Sequence, residues 1–166
     1  GFKAIISSPT SGVVAATGTG ANEITGSTAY TQLTSMIGDS DPNIADAPDL
    51  TFFCGISVFQ RIVNGLTVQN LFHFDPTTVK SRGGFYELPL PGYPNVAIVG
   101  GWGLRSSERV VLGPASDAYV GTDLISDTSN YQVWYDINSD TIKYRLRNKL
   151  GTQIGHPAYW VSNDLA

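Results

Sequence analysis

The sequence predicts an α+β chain: a mixed sheet with two short helices, followed by a long C-terminal β-hairpin. Three observations lead there. Two segments place apolar residues at helical spacing, each just after a serine. Over residues 132–136 and again over 142–150, with Asn148 the exception, side chains alternate between two faces, which is the period of a strand. The acids are nearly all aspartate, with glutamate only at Glu23, Glu87 and Glu108. Aspartate serves turns and caps, whereas glutamate suits helix interiors, so turns should be many and helices few.

Taken in order, residues 2–8 are apolar and closed by Pro9, a short strand, and 13–16 a weak one. Ser27 should cap a helix with Ala29, Tyr30, Leu33, Met36 and Ile37 on one face and Gly38 as a left-handed C-terminal cap. Residues 50–54 are almost wholly apolar, the mark of a strand buried on both faces. Gly55 breaks it, and Ser57 should cap a second helix facing inward through Val58, Phe59, Ile62, Val63 and Leu66. Residues 71–74 are apolar and aromatic, and 76–94, rich in glycine and proline, read as irregular. Strands follow at 96–99 and 109–112, and 158–162 can add a final one. In the hairpin, Ile142, Tyr144, Leu146 and Leu150 should share one face, with Lys143, Arg145, Arg147 and Lys149 on the other.

Composition narrows the function classes. The 166 residues are 42% hydrophobic and only 14% charged, where about a quarter is usual. A lightly charged surface suits a compact β-rich domain or a chain covered partly by its own copies. The net charge of −4 argues against nucleic acid wrapped by the whole surface. Cys54 is the sole cysteine, so no intrachain disulfide forms, and it reads as a small core residue. No stretch approaches the ~20 apolar residues of a membrane span.

Catalytic patterns are missing. His73 and His156 have no partner at metal-ligand spacing and read as structural or surface residues. Gly18-Thr19-Gly20 and Gly100-Gly101-Trp102-Gly103 fail the spacing of nucleotide loops. Asp136, Asn138 and Asp140 copy half a calcium loop, but Thr141 and Arg147 stand where its glycine and glutamate are needed, so a hairpin turn explains them better. Asp117, Asp123 and Asp127 read as turn or capping residues, with nothing to bring them together for acid–base work. The chain therefore reads as a non-enzyme without cofactor or metal.

Two surface features remain. The stripe Lys143, Arg145, Arg147 and Lys149 is either a solvated sheet face or a contact for phosphates or an acidic partner. In the sequence it lacks the interleaved exposed aromatics of single-strand binders. Tyr86, Tyr93 and Trp102 lie in loop-like segments, where aromatics either pack locally or anchor interfaces.

Several segments, in order, resemble the major capsid protein of tailed bacteriophages. These are residues 50–57 leading into the helix from Val58, Asn70-Leu71-Phe72-His73-Phe74, and Pro91-Gly92-Tyr93-Pro94-Asn95-Val96-Ala97-Ile98-Val99. The most recognisable is Gly121-Thr122-Asp123-Leu124, followed by a strand with Trp134-Tyr135, the hairpin, and Gly151-Thr152-Gln153-Ile154 ahead of Pro157. The resemblance covers nearly the whole chain. It implies the C-terminal portion of the tailed-phage capsid fold. Residues 1–8 would be a peripheral-domain segment, 9–119 the axial domain, and 120–166 the peripheral hairpin and C-terminus. The family's N-terminal arm, extended loop and spine helix would be absent.

The resemblance further implies a subunit of a phage or prophage icosahedral capsid, made in the bacterial cytoplasm and resident in the virion. Its partners would be copies of itself, as pentamers and hexamers of the full-length protein, with scaffold or portal proteins, non-specific DNA contact and no membrane. The basic stripe would face packaged DNA or seat the spine helix. The alternative is a β-rich module binding carbohydrate or a receptor through a groove lined by Tyr86, Tyr93 and Trp102. A hydrolase using converging aspartates is the weaker third reading.

Overall fold

The computed structural model describes residues 12–18, 23–69, 79–105, 107–122, 130–147 and 149–163. Along the chain run strand β1 (Val14–Ala15), helix α1 (Ala29–Gly38), β2 (Leu50–Gly55), helix α2 (Ile56–Val68), β3 (Lys80–Arg82), β4 (Phe85–Leu90), β5 (Tyr93–Gly101) and β6 (Val110–Pro114). Then follow β7 (Ala118–Gly121), β8 (Asn130–Asp136), β9 (Thr141–Arg147), β10 (Gly151–Ile154) and β11 (Val161–Ser162). Seven strands form one mixed sheet in the order β1-β11-β6-β2-β5-β4-β3; β7 and β10 make a two-stranded ribbon, and β8 and β9 a hairpin.

Strand β2 is central, parallel to β5 and antiparallel to β6. Both of its faces meet protein, which is why its sequence is apolar without alternation. Leu50, Phe52 and Cys54 join the helix-covered face with Leu33 and Met36 of α1 and Val58, Phe59, Ile62 and Leu66 of α2. Phe53 turns to the opposite face, onto Val111, Ile154 and Trp160. Burial pushes the Cys54 thiol up to about 12, so it stays protonated and acts as a small apolar group.

The helices bury the faces expected of them, but their ends differ. Thr28, not Ser27, precedes α1, and its hydroxyl donates to Gln32 Oε1 at 2.8 Å instead of capping. Gln32 Nε2 in turn donates to the Glu23 carbonyl at 2.7 Å, so this buried amide is satisfied on both sides. Gly38 is the last helical residue and not a left-handed cap. Helix α2 begins directly from Gly55, which places Ser57 inside its first turn. Where α1 and α2 approach, a Cβ on Gly65 would lie 2.1 Å from the Gly26 carbonyl oxygen. Only glycine permits that contact.

The expectation of an irregular segment over 76–94 is corrected. From residue 80 onward this stretch builds β3, β4 and the start of β5. Gly83 and Gly84 both have positive φ and form the two-residue turn that matches strand twist. Pro89 stands opposite Ala97 of β5 at the point where the register shifts before Leu90, an irregularity of the kind at which a strand tolerates proline. Glycine and proline here shape turns and a register shift; they do not dissolve the strands. The expected strand at 2–8 and the apolar, aromatic segment 71–74 lie outside the described residues.

Beyond the ribbon the chain returns to the large sheet. Val161 and Ser162 pair with β6 on one side and β1 on the other. Asn163 donates its N–H to the Val110 carbonyl at 3.1 Å, and its Oδ1 accepts from Val110 N at 2.6 Å. The last described residues thus belong to the large sheet.

Replacing Gly65 with alanine should destabilise the chain by about 2–3 kcal/mol through overpacking. Gly38→Ala, where a Cβ meets nothing within 4 Å, should instead raise stability by about 0.5 kcal/mol. Urea unfolding monitored by circular dichroism measures both.

Candidate interaction surface

The hairpin carries the predicted basic stripe, and its register defines two faces. Tyr131 stands opposite Leu146, Val133 opposite Tyr144 and Tyr135 opposite Ile142. These six form one apolar face about 13 Å long. None is covered: their exposures run from 51% at Val133 to 76% at Tyr144. Leu150, expected on this face, lies past the end of β9 beside the ribbon. The turn is the one expected of Asp136, Asn138 and Asp140. Asp136 accepts from Asn138 N at 3.1 Å, Tyr135 OH donates to Asp140, and Asp140 takes a positive φ.

The other face pairs Trp134 with Lys143 and Gln132 with Arg145, with Arg147 at its far end. Lys143 forms an ion pair with Asp136. Arg145 and Arg147 are exposed and have no hydrogen-bond or ion-pair partner among the described residues. Lys149 has left the strand and lines the cleft described below. One expectation is corrected here. The stripe does contain an aromatic, because antiparallel pairing sets Trp134, 45% exposed, among the cations. The signal was present in the alternation of Trp134 with Val133 and Tyr135, but only cross-strand register places it beside Lys143.

The three loop aromatics separate. Tyr86 packs on the core, its ring 5.9 Å from that of Phe59. Tyr93 also packs on the core, at the start of β5. Trp102, 55% exposed, follows the end of β5 and lies under the Arg105 guanidinium at 5.4 Å. The length of β5, roughly 25 Å, parts Tyr93 from Trp102. The three line no common groove.

Gly121 and Thr122 lie at the ribbon, in an open cleft of about 660 Å³ shared with Tyr119, Lys149, Leu150 and Gln153. Asp123 and Leu124, the rest of that motif, lie outside the described residues, as do His73 and Asp127. Among the described residues no three His, Cys, Asp or Glu side chains converge to hold a metal, and no helix is long and apolar enough to cross a membrane.

Sequence reasoning missed the centre at the ribbon's base. Asp117 is buried and holds the returning chain. Its Oδ2 accepts from His156 N and Trp160 Nε1, each at 2.9 Å, and its Oδ1 lies 2.8 Å from His156 Nδ1. Its carbonyl accepts from Gly155 N at 3.0 Å. Burial alone would push the carboxyl up, but the bonds from His156 and Trp160 outweigh it and hold the group below its ordinary value. Trp160, thus anchored, is fully buried and stacks on Phe53 at 5.8 Å. These partners lie 38 or more residues away in sequence, and no local pattern announces them.

No family model matches the chain, and no curated protein matches it. Its fold is similar to that in the crystal structure of a virus-like particle from Pyrococcus furiosus, with a TM-score of 0.53 over 97% of this chain at 11% identity. The chain spans 59% of the length of that one. At this identity the likeness is one of fold, and the mixed sheet with two helices is compatible with a capsid-like architecture.

Asp117→Asn should cost about 3 kcal/mol at pH 7, since hydrogen bonds to a charged acceptor are worth roughly 1.5–3 kcal/mol each. The folded carboxyl titrates below the unfolded value of about 3.9. Its stabilisation is therefore complete above that value and lost as pH falls below it. The gap between wild type and variant in urea unfolding should narrow as pH falls below about 4.

Proposed function

We propose that this chain is a structural subunit of a self-assembling shell, corresponding to the C-terminal portion of a tailed-phage-type major capsid protein and not to an enzyme. In this reading residues 1–8 and 120–166 belong to the peripheral domain and 9–119 to the axial domain. The partners are copies of the same chain, and the site of action is the virion. The similarity of fold to a chain of a virus-like particle supports a capsid-type role.

The observation that carries the reading is the uncovered apolar face of the hairpin. Six large side chains stand in solvent on one side of two strands. An isolated hairpin is marginal in water, and each such side chain gains roughly 1.5–3 kcal/mol on full burial. A face of this kind belongs against another surface. In the proposed fold that surface is the spine helix of the same protein or a neighbouring copy, and the basic face is left on the other side. The carbohydrate-binding alternative has no comparable support, because Tyr86, Tyr93 and Trp102 do not share a groove.

Expression of the complete reading frame, followed by negative-stain electron microscopy, tests the proposal. Closed shells, or rings of five or six, are expected; dispersed monomers from a complete reading frame would overturn it. Ile142→Asp combined with Leu146→Asp should reduce assembled particles at least tenfold. The same pair in the 166-residue chain should leave thermal unfolding unchanged, since both positions are exposed there.

A further inference from the structure

We infer that the face of the hairpin formed by Gln132, Trp134, Arg145 and Arg147 binds a single-stranded stretch of nucleic acid. Charge complementarity is the first ground. Four of the chain's ten lysines and arginines fall between residues 143 and 149, in a protein of net charge −4. On the strand itself, Lys143, Arg145 and Arg147 project from one face about 6.6 Å apart. The only acid on that face among the described residues, Asp136, is already engaged by Lys143. Arg145 and Arg147 are left without partners among the described residues. Planar guanidinium forks in that state suit phosphate oxygens.

The second ground is Trp134. Its indole is 45% exposed, stands opposite Lys143 and lies diagonal to Arg145. An exposed aromatic set in a row of cations is the arrangement that stacks a base while the cations hold the backbone. A duplex keeps its bases stacked inside and offers the indole nothing. An acidic protein surface would pair with the arginines but give the indole no matching π-face. The Gln132 amide, opposite Arg145, adds a donor and an acceptor for a base edge. The site goes beyond the shell reading and does not depend on assembly, so each can fail without the other.

The test uses the 166-residue chain and a labelled twenty-nucleotide oligothymidylate, read by fluorescence anisotropy and tryptophan quenching between 20 and 200 mM salt. Two to three phosphate contacts predict a log–log salt slope of about −1.4 to −2 for a single strand. Over that tenfold salt range, affinity should fall about 25- to 100-fold. Trp134→Ala should weaken binding about tenfold at constant salt, and Arg145→Glu with Arg147→Glu should abolish it. Unchanged thermal unfolding checks that the variants fold. Absence of binding at 20 mM salt would overturn the proposal. So would a Trp134→Ala variant that binds like wild type, or a duplex or polyglutamate that competes as well as the oligonucleotide.

Discussion

Strand β2 can lie at the centre of the sheet only because both of its edges and both of its faces are occupied. Its backbone is satisfied by β5 and β6, its helix side by Phe59, Ile62 and Leu66, and its far side by Trp160. A strand so placed tolerates neither a charge nor an open edge. The flanking chain is shaped to that demand. Gly113 on β6 lacks the Cβ that would sit 2.4 Å from the Trp160 ring, so the indole can lie flat against the sheet.

Among the described residues the far side of the sheet carries the smaller apolar cluster, and it rests on the chain that returns from the hairpin. Residues 155–163 must come back from the hairpin to cover Val111 and Phe53. One buried carboxylate holds them there. Asp117 accepts from the Trp160 indole N–H, a buried donor. It also fixes the base of the ribbon from which the hairpin departs. The apolar layer and the position of the hairpin thus share a single anchor.

The hairpin follows the opposite logic. It contributes nothing visible to the core, and all of its described side chains but Asp136 are exposed. Two strands have no third layer to turn toward, so alternation in sequence becomes two displayed surfaces, one apolar and one basic. Under the proposed function and the further inference, the two faces take different partners. The low overall charge fits the same picture, because surface destined for contact needs less solvation.

How much of this was legible depended on the range of the interaction. The buried strand at 50–54, the inward faces of both helices and the alternation of the hairpin all follow from local periodicity, and the structure carries each of them. The helix starts differ by one or two residues from expectation: Thr28 turns its hydroxyl to Gln32 instead of capping, and the second helix runs directly on from Gly55 without a side-chain cap. The strands within 76–94 were hidden because glycine and proline signal turns without revealing what lies between them. At the candidate surface, the four cations were read from spacing alone. By itself, then, the sequence determined which residues are apolar, at what period and in what order, since these are properties of adjacent residues. Only the tertiary structure decided that Trp134 joins the arginines, that Tyr86, Tyr93 and Trp102 part, and that Asp117 meets His156 and Trp160. Those are contacts between distant residues, and register and chain return, not local preference, bring them together.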